Sequence, residues 1–191
     1  MGELRDRLDA VAADATSPDR NITISTHGKA SSIDVVFRPA AYRRYREADL
    51  AHQLAQAITQ LFDQYRHAQR SAVHAVYEIV VHGDDSDADP GSRQYHQRSR
   101  QLAASGRAEN GTVRINSQGL VTWQLTISDG ATRHLTEKAF LDGLSAAFHD
   151  LLIDYRAQLV LLKDEIYGYG NSPDRRRTLG LDTYAKGTWA Q

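Results

Sequence analysis

Tyr65 and Arg66 stand in the stretch FDQYRHAQ, and the same pair returns as Tyr155 and Arg156 in LIDYRAQL, ninety positions further on. A phenol beside a guanidinium is enough chemistry for an active site, so the first question is whether the chain has built one twice. Little else in the sequence supports catalysis. There is no Cys, hence no thiolate nucleophile, thiolate metal site or disulfide framework, which fits a reducing compartment. No G-x-S-x-G, P-loop or G-x-G-x-x-G occurs, and GYG at Gly168 to Gly170 reads as a helix stop. None of the eight His forms an H-x-x-x-H pair, and His67 and His74 lie two helical turns apart, too far for one metal. Asp85, Asp87 and Asp89 have the spacing of a calcium loop, but Pro90 stands where Gly is required and His96 where the bidentate Glu belongs. The expectation is a non-enzymatic protein without metal or cofactor.

The Tyr-Arg pair instead marks a repeat. Between Phe37 to Arg66 and Ile127 to Arg156, at a constant offset of 90, eight of thirty positions are identical. They are Ala41/Ala131, Arg43/Arg133, Glu47/Glu137, Leu54/Leu144, Ala57/Ala147, Leu61/Leu151, Tyr65/Tyr155 and Arg66/Arg156. Composition alone gives about two. Upstream the offset becomes 91, pairing Ile22 with Val113, Ile24 with Ile115 and Gly28 with Gly119, so one residue slips, as expected in a hairpin turn.

Each copy has the periodicities of one α+β unit. Leu4, Leu8 and Val11, and later Tyr95, Ser99 and Leu102, predict short helices. Ile22 and Ile24, then Ile33, Val35 and Phe37, predict two half-buried strands turning at Gly28. Val113 and Ile115, then Val121, Trp123, Leu125 and Ile127, repeat them. A weaker pattern near Ala12 to Thr16 and Ala104 to Glu109 suggests one more strand in each copy. The sequons NIT and NGT read as turn chemistry at strand starts. Near-heptad stripes from Leu50 to Val76 and from Phe140 to Ile166 predict two helices of about 30 residues, roughly 45 Å each. Their distal halves outrun a short sheet, and the expected cover is the other copy's helix. Residues 1–82 and 92–167 are thus two units, 83–91 an acidic linker and 168–191 a Gly-rich tail.

The chain resembles the YbaB/EbfC family of bacterial nucleoid-associated proteins. The likeness is carried by a short helix, then Gly111, Val113, Ile115, Gly119 and Val121 in the pattern G-x-V-x-V-x-x-x-G-x-V, then a long helix. The first copy follows more loosely through Ile22, Ile24 and Gly28, with Arg20 near the first Gly and Ala30 in place of the last hydrophobe. Family members have one unit and dimerise, so a chain with two implies an intramolecular pseudo-dimer, with Tyr65, Tyr155, Leu61 and Leu151 packing where the repeats cross. The resemblance also implies binding to duplex DNA with little sequence specificity, which needs guanidiniums on one face to neutralise phosphates. Arg38, Arg43, Arg44 and Arg46, with Tyr42 and Tyr45 interleaved, are the best cluster. Arg133 is the second-copy counterpart of Arg43, and Arg175, Arg176 and Arg177 form a run in the tail.

Charge weighs against that expectation. Lys and Arg number 23 against 24 Asp and Glu, so no global basic field exists, and by composition these arginines read as a solvated loop and a solubilising tail. The rival implication is a protein-interaction module, since proteins of this general kind also accompany type VII secretion in actinobacteria. No stretch approaches the roughly 18 apolar residues of a membrane span and the N-terminus lacks an apolar h-region, so the expected location is cytoplasmic, and the resemblance implies the nucleoid.

Overall fold

The computed structural model describes residues 2–28, 30–77 and 90–168. The linker proper and the tail arginines Arg175, Arg176 and Arg177 lie outside the described residues. The fold is α+β, with two three-stranded antiparallel sheets of order β1-β2-β3 and β4-β5-β6. In the first half, helix α1 (Gly2–Asp9) leads into β1 (Ala12–Thr16), β2 (Ile22–His27) and β3 (Asp34–Phe37). A 3-10 turn (Tyr42–Arg44) then opens onto the long helix α2 (Glu47–Tyr77). The second half runs α3 (Pro90–Ser99), β4 (Ala103–Arg107), β5 (Val113–Gln118), β6 (Thr122–Ile127), the short α4 (Ala131–His134) and the long α5 (Glu137–Tyr167). Pro90, inside the expected linker, is the first helical residue of α3, where a missing N–H costs nothing.

The two sheets share one register. Ala13↔Thr26 in the first corresponds to Ala104↔Ser117 in the second, and Ile22↔Phe37 to Val113↔Ile127. The offset is therefore 91 through β1 and β2 and 90 in β3, and the lost residue falls in the β2–β3 hairpin. Val11 is not part of α1 as its spacing suggested. It lies beyond the helix end at Asp9, buried at the mouth of β1. On the inward face of the first strands stand Ala13 and Ala15, and Ala104 and Gly106, small residues that let a helix come close. Asn110 accepts hydrogen bonds from the Thr112 amide (3.0 Å) and hydroxyl (2.6 Å), so the NGT sequon is turn chemistry.

Left-handed backbone recurs at matching places. Gly111 has φ 69° and Gly130 has φ 79°, while the first half sets Arg20 (φ 62°) and Ala40 (φ 61°) at the same points. A side chain there costs about 1–2 kcal/mol. In the β5–β6 turn, Gly119 and Leu120 have φ 60° and 54°, the signs of a type I′ turn.

Helix α5 ends at Gly168, whose φ of 64° lets its N–H reach the Asp164 carbonyl. Leu50, Leu54, Ile58 and Leu61 are fully buried, as are Phe140, Leu144, Phe148 and Leu151 opposite. Helix α2 packs on β1 and β2 and crosses to β6, while α5 packs on β4 and β5. The halves meet mid-helix through aromatics: Phe62 lies 4.8 Å from Trp123 and 6.0 Å from Phe148, centroid to centroid. The distal cover differs from expectation. Helix α1 lies on α2 and α3 on α5, the latter fixed by Arg98 and Glu165 at 2.7 Å. Each short helix belongs to the same half, so it reaches that surface without a long loop.

Along β4 the outward backbone groups are closed off by α5. The Ser105 amide donates to Asp154 (2.9 Å), the Arg107 amide to Asp150 (3.0 Å), and Gln158 donates to the Ala103 carbonyl (2.8 Å). Side chains one helical turn apart thus satisfy alternate residues of an edge strand, which keeps it from pairing elsewhere. No helix among the described residues is long and apolar enough to cross a membrane.

Candidate nucleic-acid interface

The arginine cluster sits where the chain leaves β3. The Arg38 amide closes the strand on the Asn21 carbonyl, and the left-handed Ala40 turns the backbone so that Ala41 bonds to Arg38 and starts the 3-10 turn. Tyr42, 1 % exposed, points inward, its ring 5.4 Å from Phe37 and 5.3 Å from Phe140. Its hydroxyl donates to the Ala131 carbonyl of α4 (3.1 Å), and burial pushes the phenol pKa up. Tyr45 donates its hydroxyl to Asp19, which also accepts from Ser17 (2.6 Å). Burial raises the Asp19 pKa, but the Ser17, Tyr45 and Asn21 donors outweigh it, so the carboxyl stays below its ordinary range. The β1–β2 turn is thereby tied to the 3-10 turn.

Arg43 is not a free guanidinium. Its Nη1 donates to the carbonyls of Thr132 (2.9 Å) and Arg133 (2.6 Å), the second being its own counterpart ninety residues on. Glu47 completes the clasp, accepting from the Thr132 amide (3.2 Å) and hydroxyl (2.9 Å). Its carboxyl pKa is lowered, first by its own backbone N–H and then by Thr132. Sequence comparison found Glu47 only as a repeated residue; the clasp it forms carries no sequence signal.

Around this junction Arg38, Arg44 and Arg46 from one half and Arg133 from the other are all exposed. Among the described residues none of the four has an ion pair. The structure thus brings Arg133 to the cluster that contains its counterpart, where its charge also helps hold the Glu47 pKa down, and leaves Arg38, Arg44 and Arg46 exposed without an ion pair.

In the Tyr-Arg pairs three of the four side chains bond to backbone carbonyls. Tyr65 donates to the Gly28 carbonyl (2.6 Å) and Tyr155 to the Ser99 carbonyl (3.3 Å), each within its own half. Arg66 is the residue that crosses, donating to the Leu120 carbonyl (2.8 Å) while pairing with Asp63. Arg156 is exposed and makes no such bond among the described residues. Leu61 and Leu151 are fully buried in the shared core. Sequence reasoning passed over Arg107 and Arg114, which register partners across β4 and β5; only the strand register reveals them as neighbours. Among the described residues no group of three or more His, Asp and Glu is arranged to hold a metal ion.

Comparison with protein-family models, curated proteins and solved structures found no match for this chain.

Proposed function

We propose that the protein is a non-enzymatic, YbaB/EbfC-like pseudo-dimer that binds duplex DNA with little sequence specificity, in the cytoplasm at the nucleoid. The carrying observation is the junction at which four exposed guanidiniums from both halves gather, Arg38, Arg44 and Arg46 without an ion pair and Arg133 facing the Glu47 carboxylate. Such a group binds phosphates by releasing counterions, without reading bases. The pseudo-dimer is supported by the matching strand registers and by Arg43 bonding to the carbonyl of its own counterpart, as residues on a two-fold axis do. One chain then replaces two subunits, so a monomer suffices. Arg175, Arg176 and Arg177 would add phosphate contacts from the tail.

The test is anisotropy with a generic labelled duplex at 50 and 200 mM salt, comparing wild type with R44A/R46A/R133A. Steep loss with salt in the wild type, and a flatter slope by about 0.9 for each contact removed, support the reading. Absence of binding at 50 mM salt overturns it. Arg43→Ala is unsuitable as the probe, because it also removes the hydrogen bonds that tie the halves at Thr132 and Arg133.

A second reading, a protein-interaction module, draws on a groove of about 430 Å³ between α2 and the β6 edge. Ala48, Ala51, His52 and Ala55 form one wall and Leu125 and Ile127 the other, a lining of small and apolar side chains that could take a peptide side chain. A protein that ignores DNA but retains a peptide there would favour it.

A further inference from the structure

Arg107 on β4 and Arg114 on β5 are register partners. They form a pair that exchanges no backbone hydrogen bonds, since the flanking Ala108 amide bonds to Val113, and in such pairs side chains stand closest, with Cα atoms about 4.5 Å apart. Both side chains point to the outer face of the sheet and both are exposed. Like charges directly opposite destabilise a sheet, and no ion pair relieves these two among the described residues. The first half sets Thr16 and Thr23 at the same register point, so the fold does not require the charges.

The pair borders a hollow of about 320 Å³ that also includes Ser105, Asn116 and Asp150. Asp150 accepts from the Arg107 amide and brings one carboxylate charge to the hollow against two guanidiniums, while Asn116 and Ser105 add neutral hydrogen-bonding groups. Arg114 also faces Thr126 on β6, the strand that runs on through Gly130 into α4 and Arg133. The pair therefore lies at the end of the second sheet that leads to the junction.

We propose that Arg107 and Arg114 form a second phosphodiester-contact point, which extends the DNA footprint from the junction onto the outer face of the second sheet. Two facing guanidiniums against the single Asp150 carboxylate leave the hollow net positive, and a phosphate that accepts from both would relieve them. The inference rests on the DNA reading above, and the test separates the two.

The experiment is the same duplex titration on full-length R107Q/R114Q, run beside R44A/R46A/R133A. R107Q/R114Q should flatten the salt slope by about 1.8 and weaken binding at 50 mM salt. It should melt no lower than wild type, because it removes a like-charge pair. Wild-type binding that is untouched by R107Q/R114Q but reduced by R44A/R46A/R133A overturns this inference alone. Loss in R107Q/R114Q with none in R44A/R46A/R133A supports it and overturns the junction as the main contact. If the wild type ignores the duplex at 50 mM salt, both fall. Inorganic pyrophosphate, titrated by calorimetry, is the remaining arm: heat lost in R107Q/R114Q while its duplex slope stays wild-type would make this a small-anion site and refute the footprint.

Discussion

Replacing Gly106 with Ala should be among the most damaging single-methyl changes available to this chain. A Cβ at Gly106 would lie 2.1 Å from the Ala147 carbonyl oxygen and 2.3 Å from the Leu151 amide nitrogen, both helix backbone. Ordinary contact needs roughly 3.4 Å or more, so α5 must retreat from β4 by on the order of 1 Å. Overpacking alone costs about 1–3 kcal/mol, and here the obstacle is backbone rather than a side chain that can rotate away. The same retreat stretches the bonds from Ser105 to Asp154 (2.9 Å) and from Arg107 to Asp150 (3.0 Å) beyond useful range. Hydrogen bonds to a charged group contribute about 1.5–3 kcal/mol each, so a loss of at least about 3 kcal/mol in total is expected. The assay is urea denaturation by far-ultraviolet circular dichroism, with hydrogen exchange at the Ser105 and Arg107 amides. At the matching point of the first half, Ala15 already carries the methyl at 2 % exposure, and Ala15→Gly should cost only about 1 kcal/mol. A Gly106→Ala loss under 1 kcal/mol, with both amides as protected as before, would refute the close-approach reasoning.

Two further outcomes follow from the junction and its turn. Ala40→Gly replaces a strained left-handed residue (φ 61°) with the residue found at its counterpart Gly130, and should stabilise by about 0.5–1 kcal/mol, a rise in Tm of about 1–4 °C in a scanning measurement; an unchanged or lower Tm would count against strain at this position. Because the folded-state pKa of Glu47 is lowered, its contribution is present above the ordinary carboxylate value of 4.5 and fades as pH falls through the folded value. Glu47→Gln should therefore lose less Tm than wild type between pH 6 and about pH 3, and parallel profiles would show that the clasp does not depend on the charge.

Much of the architecture was legible because the signals are periodic and long. The stripes on α2 and α5 span many turns, so the burial of Leu50, Leu54 and Ile58 and of Phe140, Leu144 and Phe148 follows from spacing. The repeat offsets carried the pairing of both sheets, down to the slipped residue in the hairpin. The strands β1 and β4 were faint for a physical reason. Their inward residues are Ala13, Ala15, Ala104 and Gly106, too small to give an apolar alternation, and a helix packed close above them is what makes the segments strands. Val11 reads as the third apolar residue of α1 for the same reason: spacing alone does not say that the helix stops at Asp9.

The candidate site was legible as composition but not as arrangement. A sequence shows that Arg43, Arg44 and Arg46 are cationic; it does not show that the Arg43 guanidinium is occupied by the Thr132 and Arg133 carbonyls while its neighbours stay open. Nor does it show that Arg107 and Arg114, seven positions apart, stand side by side across two strands. The sequence by itself determined which faces are apolar, where the chain turns and that two stretches ninety residues apart share a pattern, because those depend on neighbours within a few residues or on internal likeness. Tertiary structure alone decided which charges are spent on holding the halves together and which stay exposed. That division depends on distances between residues far apart in the chain, and a guanidinium engaged by two carbonyls has its donors committed.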